Sequence, residues 1–264
     1  MQLPSIYDAG ALWTCNDKLR SKVAREMKHV EPAAVVESGR TLAPGLYLVA
    51  TPIGNLEDIT LRALRVLKQA DVIACEDTRQ TQKLLNHYSV TTRTTSYHEH
   101  NEAKRTAEFV ERLAGGESIA LITDAGTPGL SDPGLRLVRE CIQRELSFTI
   151  IPGPSSILAA LVGSGFSTEK FSFRGFLPVK TGRRERELRA AAESGETIIF
   201  FESPYRLTKT LAACIAVMPD RQLCIARELT KKFEEFRRGT ADVLLADYEA
   251  RPPKGEIVLV ISAP

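Results

Sequence analysis

Three times between Leu46 and Ser156, a short apolar run passes directly into a loop of glycine, proline and hydroxyl residues. Leu46–Thr51 leads into TPIGN, Ser118–Thr123 into TDAGTPG, and Phe148–Ile151 into IPGPSS. Runs this short, bounded by turn residues, read as buried strands. Val72–Cys75 is a further strand of the same kind, and Thr92–Tyr97 is extended and β-branched. The intervening segments have helical texture. Thr60 caps one helix, with Ile59 and Leu64 spaced as a hydrophobic staple and Leu61, Leu64 and Leu67 on its apolar face. Thr78–Tyr88 is a second helix. Asn101 caps a third, which Gly115–Gly116 ends, and Asp132-Pro133 opens a fourth that runs to about Glu145. Strands alternating with helices predict a parallel sheet covered on both faces.

After Gly165 the texture changes. Phe171–Leu177, Thr197–Phe201, Leu223–Ala226, Phe233–Arg238 and Glu256–Ile261 read as strands, with helices at Arg183–Glu193, Arg206–Val217 and Ala241–Tyr248. Their close spacing predicts a mixed, largely antiparallel second sheet. The reading is therefore an α/β chain of two domains, 45–165 and 166–264, behind a flexible leader at 1–44 without a secretory signal.

In an open α/β sheet, ligands bind beyond the carboxyl ends of the strands. Three rigid, small-residue loops at that edge therefore predict a crevice, with glycine allowing close approach of a ligand to the backbone. None of the loops is GxxxxGK[ST] or GxGxxG, which argues against a nucleoside triphosphate or a dinucleotide. Backbone groups, hydroxyls and small apolar side chains suit a flat base carrying little negative charge.

The formal net charge is only +2, so contact with nucleic acid has to come from local basic patches. Arg174, Lys180, Arg183, Arg184, Arg186 and Arg189 form one, although Glu185 and Glu187 interleave it, and Lys231, Lys232, Arg237 and Arg238 form another. No apolar run approaches the ~18 residues of a membrane span. The five cysteines form no CxxC and mostly sit in apolar runs, as reduced thiols would.

Nine segments, in order, carry a resemblance over Leu46–Ser262: LYLVATPIGNLEDIT, ACEDTR, HEHN, ALITDAGTPGLSDPG, IPGPSS, FRGFLP, FFESPYR, ARELTK and KGEIVLVI. The chain resembles the tetrapyrrole-methylase superfamily and, within it, the 16S ribosomal RNA (cytidine-2′-O)-methyltransferases. The first loop is TPIGN rather than the GxGPGD form of the tetrapyrrole enzymes, which favours the RNA branch. The resemblance implies two α/β domains, the first with a parallel sheet and the second with a mixed one, and S-adenosyl-L-methionine in the cleft between them. It further implies a cytoplasmic homodimer that methylates the ribose 2′-hydroxyl of a cytidine in the decoding region of 16S rRNA within the small ribosomal subunit, with no metal and no membrane. No counterpart of the further C-terminal segment of some members follows KGEIVLVI. By the same resemblance Ile53, Gly126, Thr127, Leu130, Ser155, Ser156, Phe201 and Ala226 contact the cofactor. Two alternatives stand beside this reading: a C-methyltransferase of a tetrapyrrole precursor or other small-molecule or protein methylase, and a non-catalytic nucleotide-binding module.

Methyl transfer to a hydroxyl requires alignment of the reactants and removal or polarisation of a proton. Glu76 and Asp77 follow a buried strand directly and are candidates for that role, although Asp77 or Thr78 also suits a helix cap. Lys231 is a third candidate. Arg79, His98, His100, Lys180, Arg183, Arg184 and Arg206 are candidate RNA contacts, with a Glu202–Arg206 salt bridge as the competing explanation of Arg206. His98 and His100, two apart with no third ligand, signal RNA contact or the Asn101 cap rather than a metal.

Overall fold

A computed structural model describes residues 42–264, which form one compact unit. The leader assigned to 1–44 therefore lies, as far as residue 41, outside the described residues. Five strands build the first sheet: β1 (Gly45–Val49), β2 (Val72–Cys75), β3 (Thr94–Ser96), β4 (Ser118–Ile122) and β5 (Phe148–Ile151), in the order β3-β2-β4-β1-β5. All four pairings are parallel. Every residue of β2 and β4 is buried, as expected of strands covered on both sides.

Helices α1 (Leu61–Gln69) and α2 (Thr78–His87) cover one face of the sheet, packing Ala63, Val66, Leu67, Leu84 and Leu85 against Ile73, Cys75, Ala120 and Ile122. Helices α3 (Glu102–Ala114) and α4 (Leu135–Gln143) cover the other with Phe109, Val110, Leu137 and Cys141. Thr60 caps α1 as expected, its hydroxyl accepting from the Ala63 amide at 3.0 Å. Leu61 points to solvent, and Ala63, Val66 and Leu67 carry the buried stripe.

Two helix starts differ from expectation. Asn101 precedes α3 but makes no side-chain cap; its amide binds the His98 backbone and Ser96, tying down the segment before the helix. Helix α4 begins at Leu135 behind Gly134, at φ 137°, instead of at Asp132-Pro133. A Cβ at Gly134 would press on a Leu121 methyl at 2.9 Å and the Gly129 amide nitrogen at 3.3 Å, and the positive φ suits glycine.

The second sheet contains β6 (Phe171–Phe176), β7 (Thr197–Glu202), β8 (Leu223–Arg227), β9 (Glu235–Gly239) and β10 (Ile257–Ile261), in the order β6-β7-β10-β8-β9. Only β6 and β7 run parallel. Helices α6 (Thr181–Glu193), α7 (Leu207–Val217) and α8 (Ala241–Ala250) pack on one face through Leu188, Leu207, Leu211 and Leu244. The opposite face receives α5 (Ser156–Ser164), the helix that follows β5: Ile157, Ala160 and Leu161 meet Ile199, Cys224, Ala226, Val258 and Val260. At Gly163 a Cβ would overlap the Phe236 ring, so glycine lets α5 sit directly on the sheet. Arg238 locks the contact by donating to the Ser164 carbonyl at 2.7 Å and to the Gly163 carbonyl. Ile53 joins this same core, which brings the first loop against the second sheet.

Cys75, Cys141, Cys214 and Cys224 are free and buried. Among the described residues no helix is long and apolar enough to cross a membrane.

Candidate cofactor cleft and active site

The connection from β1 leaves toward α1 on one face of the sheet, and that from neighbouring β4 leaves toward α4 on the other. Such a divergence opens a crevice at the carboxyl ends of the two strands. Here a two-residue bridge between Thr51 and Gly126 and the Thr51 hydroxyl, which donates to the Thr123 carbonyl at 3.1 Å, hold the two loops in fixed relation. The second sheet faces them. Between lies a cleft of about 370 Å³, with Ile53, Ala125, Ser131, Asp132 and Ser156 on one side and Phe176, Phe201, Glu202, Ser203, Ala226, Leu229 and Val258 on the other. That volume falls at the small end of ligand pockets, roughly 300–1,000 Å³.

Of the residues expected at the cofactor, Ile53, Ser156, Phe201 and Ala226 line the cleft. Gly126 sits behind Ile53 in the loop bridge, where its φ of 79° suits glycine. Thr127 turns the same loop, its carbonyl accepting from the Leu130 amide, and Leu130 is exposed. The Ser155 hydroxyl caps α5, accepting from the Leu158 amide at 3.4 Å.

Four carboxylates, Glu76, Asp77, Asp124 and Asp132, gather beside the cleft, and of these Asp132 lines it. Asp77 caps α2, accepting from the Arg79 amide at 2.7 Å, and its own amide donates to Asp124 at 3.2 Å. Glu76 is raised above the usual carboxylate range, first by burial and then by the negative charge of Asp124. Asp132 is pushed up to about 6 by burial and then by Glu76 and Asp124. A second cavity of about 630 Å³, bordered by Glu76, Glu99, Glu102, Arg136 and Arg139, shares Ser131 and Asp132 with the cleft. Asp132 therefore stands in the partition between two cavities. The sequence signal, a proline after an acidic residue, pointed to a helix start and concealed this position.

Glu202 is 3% exposed and accepts from the Ser203 amide (2.7 Å), the Thr210 hydroxyl (2.6 Å) and the Arg206 guanidinium (2.9 Å). Arg206 also donates to the Leu177 carbonyl and lies over the Phe176 ring. Its guanidinium helps to hold the wall of the cleft, and the Glu202–Arg206 salt bridge that competes with RNA contact as its explanation is formed. Lys231 donates to Glu228 and Glu256, both at 2.9 Å. Burial by itself would lower its pKa, but the two carboxylates outweigh burial and hold it above the ordinary lysine value, so it stays an ammonium and makes a poor base.

The RNA candidates separate. Arg79, His100, Lys180 and Arg183 are exposed. Arg184 is not a surface residue: at 5% exposed, it donates to the carbonyls of Pro178 and Val179, and so fixes the turn into α6. His98 is half-buried, with one ring nitrogen against Asn101 and Nδ1 buried without a partner among the described residues. Among the described residues no three His, Cys, Asp or Glu side chains are placed to hold a metal.

Residues 45–244 match the tetrapyrrole (corrin/porphyrin) methylases. The chain is 53% identical over 224 residues to the ribosomal RNA small subunit methyltransferase I of Mesorhizobium japonicum, covering 84% of this chain and 76% of that one. The protein of the same name from Thermotoga maritima is 45% identical over 217 residues, covering 82% and 97%. The chain belongs to the ribosomal RNA small subunit methyltransferase I family, within the tetrapyrrole methylase superfamily. Solved structures carry the same fold at low identity: a cobalt-precorrin-4 methyltransferase (TM-score 0.62, 18% identical, 82% of this chain and 94% of that one) and a diphthine synthase (TM-score 0.66, 14% identical, 82% and 89%). As a member of the family, the chain presents its TPIGN and TDAGTPG loops at the strand ends, facing the second sheet across the cleft.

Proposed function

We propose that this chain transfers the methyl group of S-adenosylmethionine to the ribose 2′-hydroxyl of a cytidine in the decoding region of 16S rRNA. The observation that carries the reading is the cleft between the β1/β4 switch point and the second sheet, in a chain about half identical to a named rRNA small subunit methyltransferase. Its walls fit the cofactor: Ile53, Phe201, Ala226, Leu229 and Val258 offer an apolar bed for a base, while Ser156 and the loop backbone offer polar contacts. Gly126 stands behind Ile53, and Thr127, Leu130 and Ser155 belong to the same loops and are the remaining cofactor contacts in this reading. S-adenosylmethionine supplies an electrophilic methyl group carried on a sulfonium.

The residues of the chain align the hydroxyl and take its proton. Glu76 is the strongest of the sequence candidates, because Asp77 is used as a helix cap and Lys231 is neutralised by two carboxylates. Asp132, in the partition between the cavities, competes with Glu76 for the role. Exposed Arg79, His100, Lys180 and Arg183, with half-buried His98, are the RNA contacts in this reading, which treats 45–165 and 166–264 as its two domains. It also places the protein in the cytoplasm as a homodimer. Exposed Phe148, Ile150, Leu158 and Val162, on β5 and α5, suit a subunit interface.

The test incubates the protein with tritiated S-adenosylmethionine and small subunits lacking the modification, naked rRNA, or a tetrapyrrole precursor. Counts confined to subunit or rRNA cytidine support the reading. Counts in the precursor, or none anywhere, overturn it.

A further inference from the structure

Resting on that reading, we propose that a groove leading out of the cleft, over Pro204 and Gly255 to a cationic recess around Arg227, Arg237, Arg251 and Lys254, holds the RNA strand adjoining the target nucleotide. Three hollows adjoin along it, each sharing lining residues with the next. The cleft shares Pro204 and Gly255 with a cavity of about 660 Å³, which in turn shares Tyr248, Pro252, Pro253 and Lys254 with a recess of about 260 Å³.

The chemistry changes along it in the order a strand needs. At the near end Tyr205 follows Pro204 and is 90% exposed, an unpacked aromatic face of the kind on which bases stack. At the far end four cations meet two carboxylates, and Glu249 borders the hollow before it. Arg227 binds Glu235 at 2.5 Å, and Arg237 binds Glu235 and Asp247, so these arginines form a fixed floor. Arg251 and Lys254 are exposed at the rim, outside those ion pairs. Tyr248 supplies an independent sign of a ligand. It is 3% exposed, and its hydroxyl has no partner among the described residues. The charged groups that act on it, Glu235, Arg237, Arg227 and Asp247, all border the recess. A buried hydroxyl without a partner is rare, and this one belongs to a residue that lines the recess.

The cleft's other neighbour has the opposite sign: Glu76, Glu99, Glu102 and Asp132 outnumber Arg136 and Arg139 there. A polyanion is turned away from that side and attracted to this one.

The test uses the full-length protein, a 16S rRNA fragment containing the decoding region, and the Arg251→Glu/Lys254→Glu and Tyr205→Ala variants. RNA affinity is measured by anisotropy at several salt concentrations, cofactor affinity by calorimetry. The double variant is expected to lose at least tenfold in RNA affinity and to flatten the salt slope by about one or two, since each single-strand phosphate contact contributes roughly 0.7. Tyr205→Ala is expected to lose about fivefold or more with the slope intact, as stacking requires. Cofactor affinity stays at the wild-type value in both. Wild-type binding and methylation with both variants within twofold of it overturns the groove alone. Failure of the wild type to bind or methylate RNA overturns the groove together with the reading beneath it.

Discussion

Thr51 and Gly126 exchange both backbone hydrogen bonds, at 2.9 and 3.0 Å, across the point where the connections of β1 and β4 part. This single bridge turns two loops into one rigid wall of the cleft. Gly126 holds it at φ 79°, and a Cβ there would meet only Ile53 Cγ2 at 3.7 Å, an ordinary contact. The cost of a side chain is therefore conformational. Gly126→Val is expected to lose about 1–2 kcal/mol, lowering the thermal midpoint by ~2–4 °C per kcal/mol, and Gly126→Asn less, because asparagine tolerates this region. Thermal unfolding of the two variants checks the order. Equal losses would mean that crowding, rather than backbone conformation, sets the cost.

The Glu202 carboxylate is a structural anchor beneath the cleft. Glu202→Ala strands the Arg206 guanidinium and the Thr210 hydroxyl, and Arg206→Ala strands a carboxylate that is 3% exposed. Removing one partner of a buried pair costs ~3–5 kcal/mol. Both variants are expected to show losses of that size in urea unfolding, and the double variant much less than their sum. An Arg206→Ala protein that keeps its stability but binds RNA weakly would return Arg206 to the RNA surface.

Much of this was legible in the sequence because the signals were local. The glycine and proline loops after β1, β4 and β5 announce strand ends, and Thr60 caps its helix because three residues suffice to define a cap. What was not legible depends on residues far apart in the chain. Arg184 sits in a run of basic residues like its exposed neighbours, and only the turn at Pro178 and Val179 makes it internal. Asp132 reads as a cap because its neighbour is proline; its place between two cavities depends on Gly134 and on Glu76, 56 positions away in the chain. Lys231 looked free until Glu256, 25 residues on, completed its cage.

Arg183 and Arg184 are adjacent in sequence and opposite in role. Arg184→Ala removes two hydrogen bonds from a buried, charged donor to the Pro178 and Val179 carbonyls and is expected to cost ~2–4 kcal/mol. Arg183→Ala, on the surface, should stay within about 0.5 kcal/mol. Arg183→Glu is expected to weaken RNA binding several-fold without lowering the melting temperature. A stable Arg184→Ala protein would contradict its placement.

Asp132 gives the protein a pH dependence whose sign can be stated. Its pKa in the fold, about 6, lies above the unfolded value of 3.8, so the folded protein holds that proton more tightly. The ionised carboxylate opposes folding. The penalty is absent below about pH 4, grows between there and pH 6, and is complete above it. Asp132→Asn is therefore expected to match the wild type near pH 4 and to exceed it at pH 8 by roughly 1–3 kcal/mol. Where Asp132 is the group that takes the proton, it works only when ionised, so the wild-type kcat/KM should rise through about pH 6 to a plateau, and Asp132→Asn should lose that limb along with most of the rate. If the variant keeps the limb, Glu76 is the group that titrates; in that case Glu76→Gln, and not Asp132→Asn, removes it.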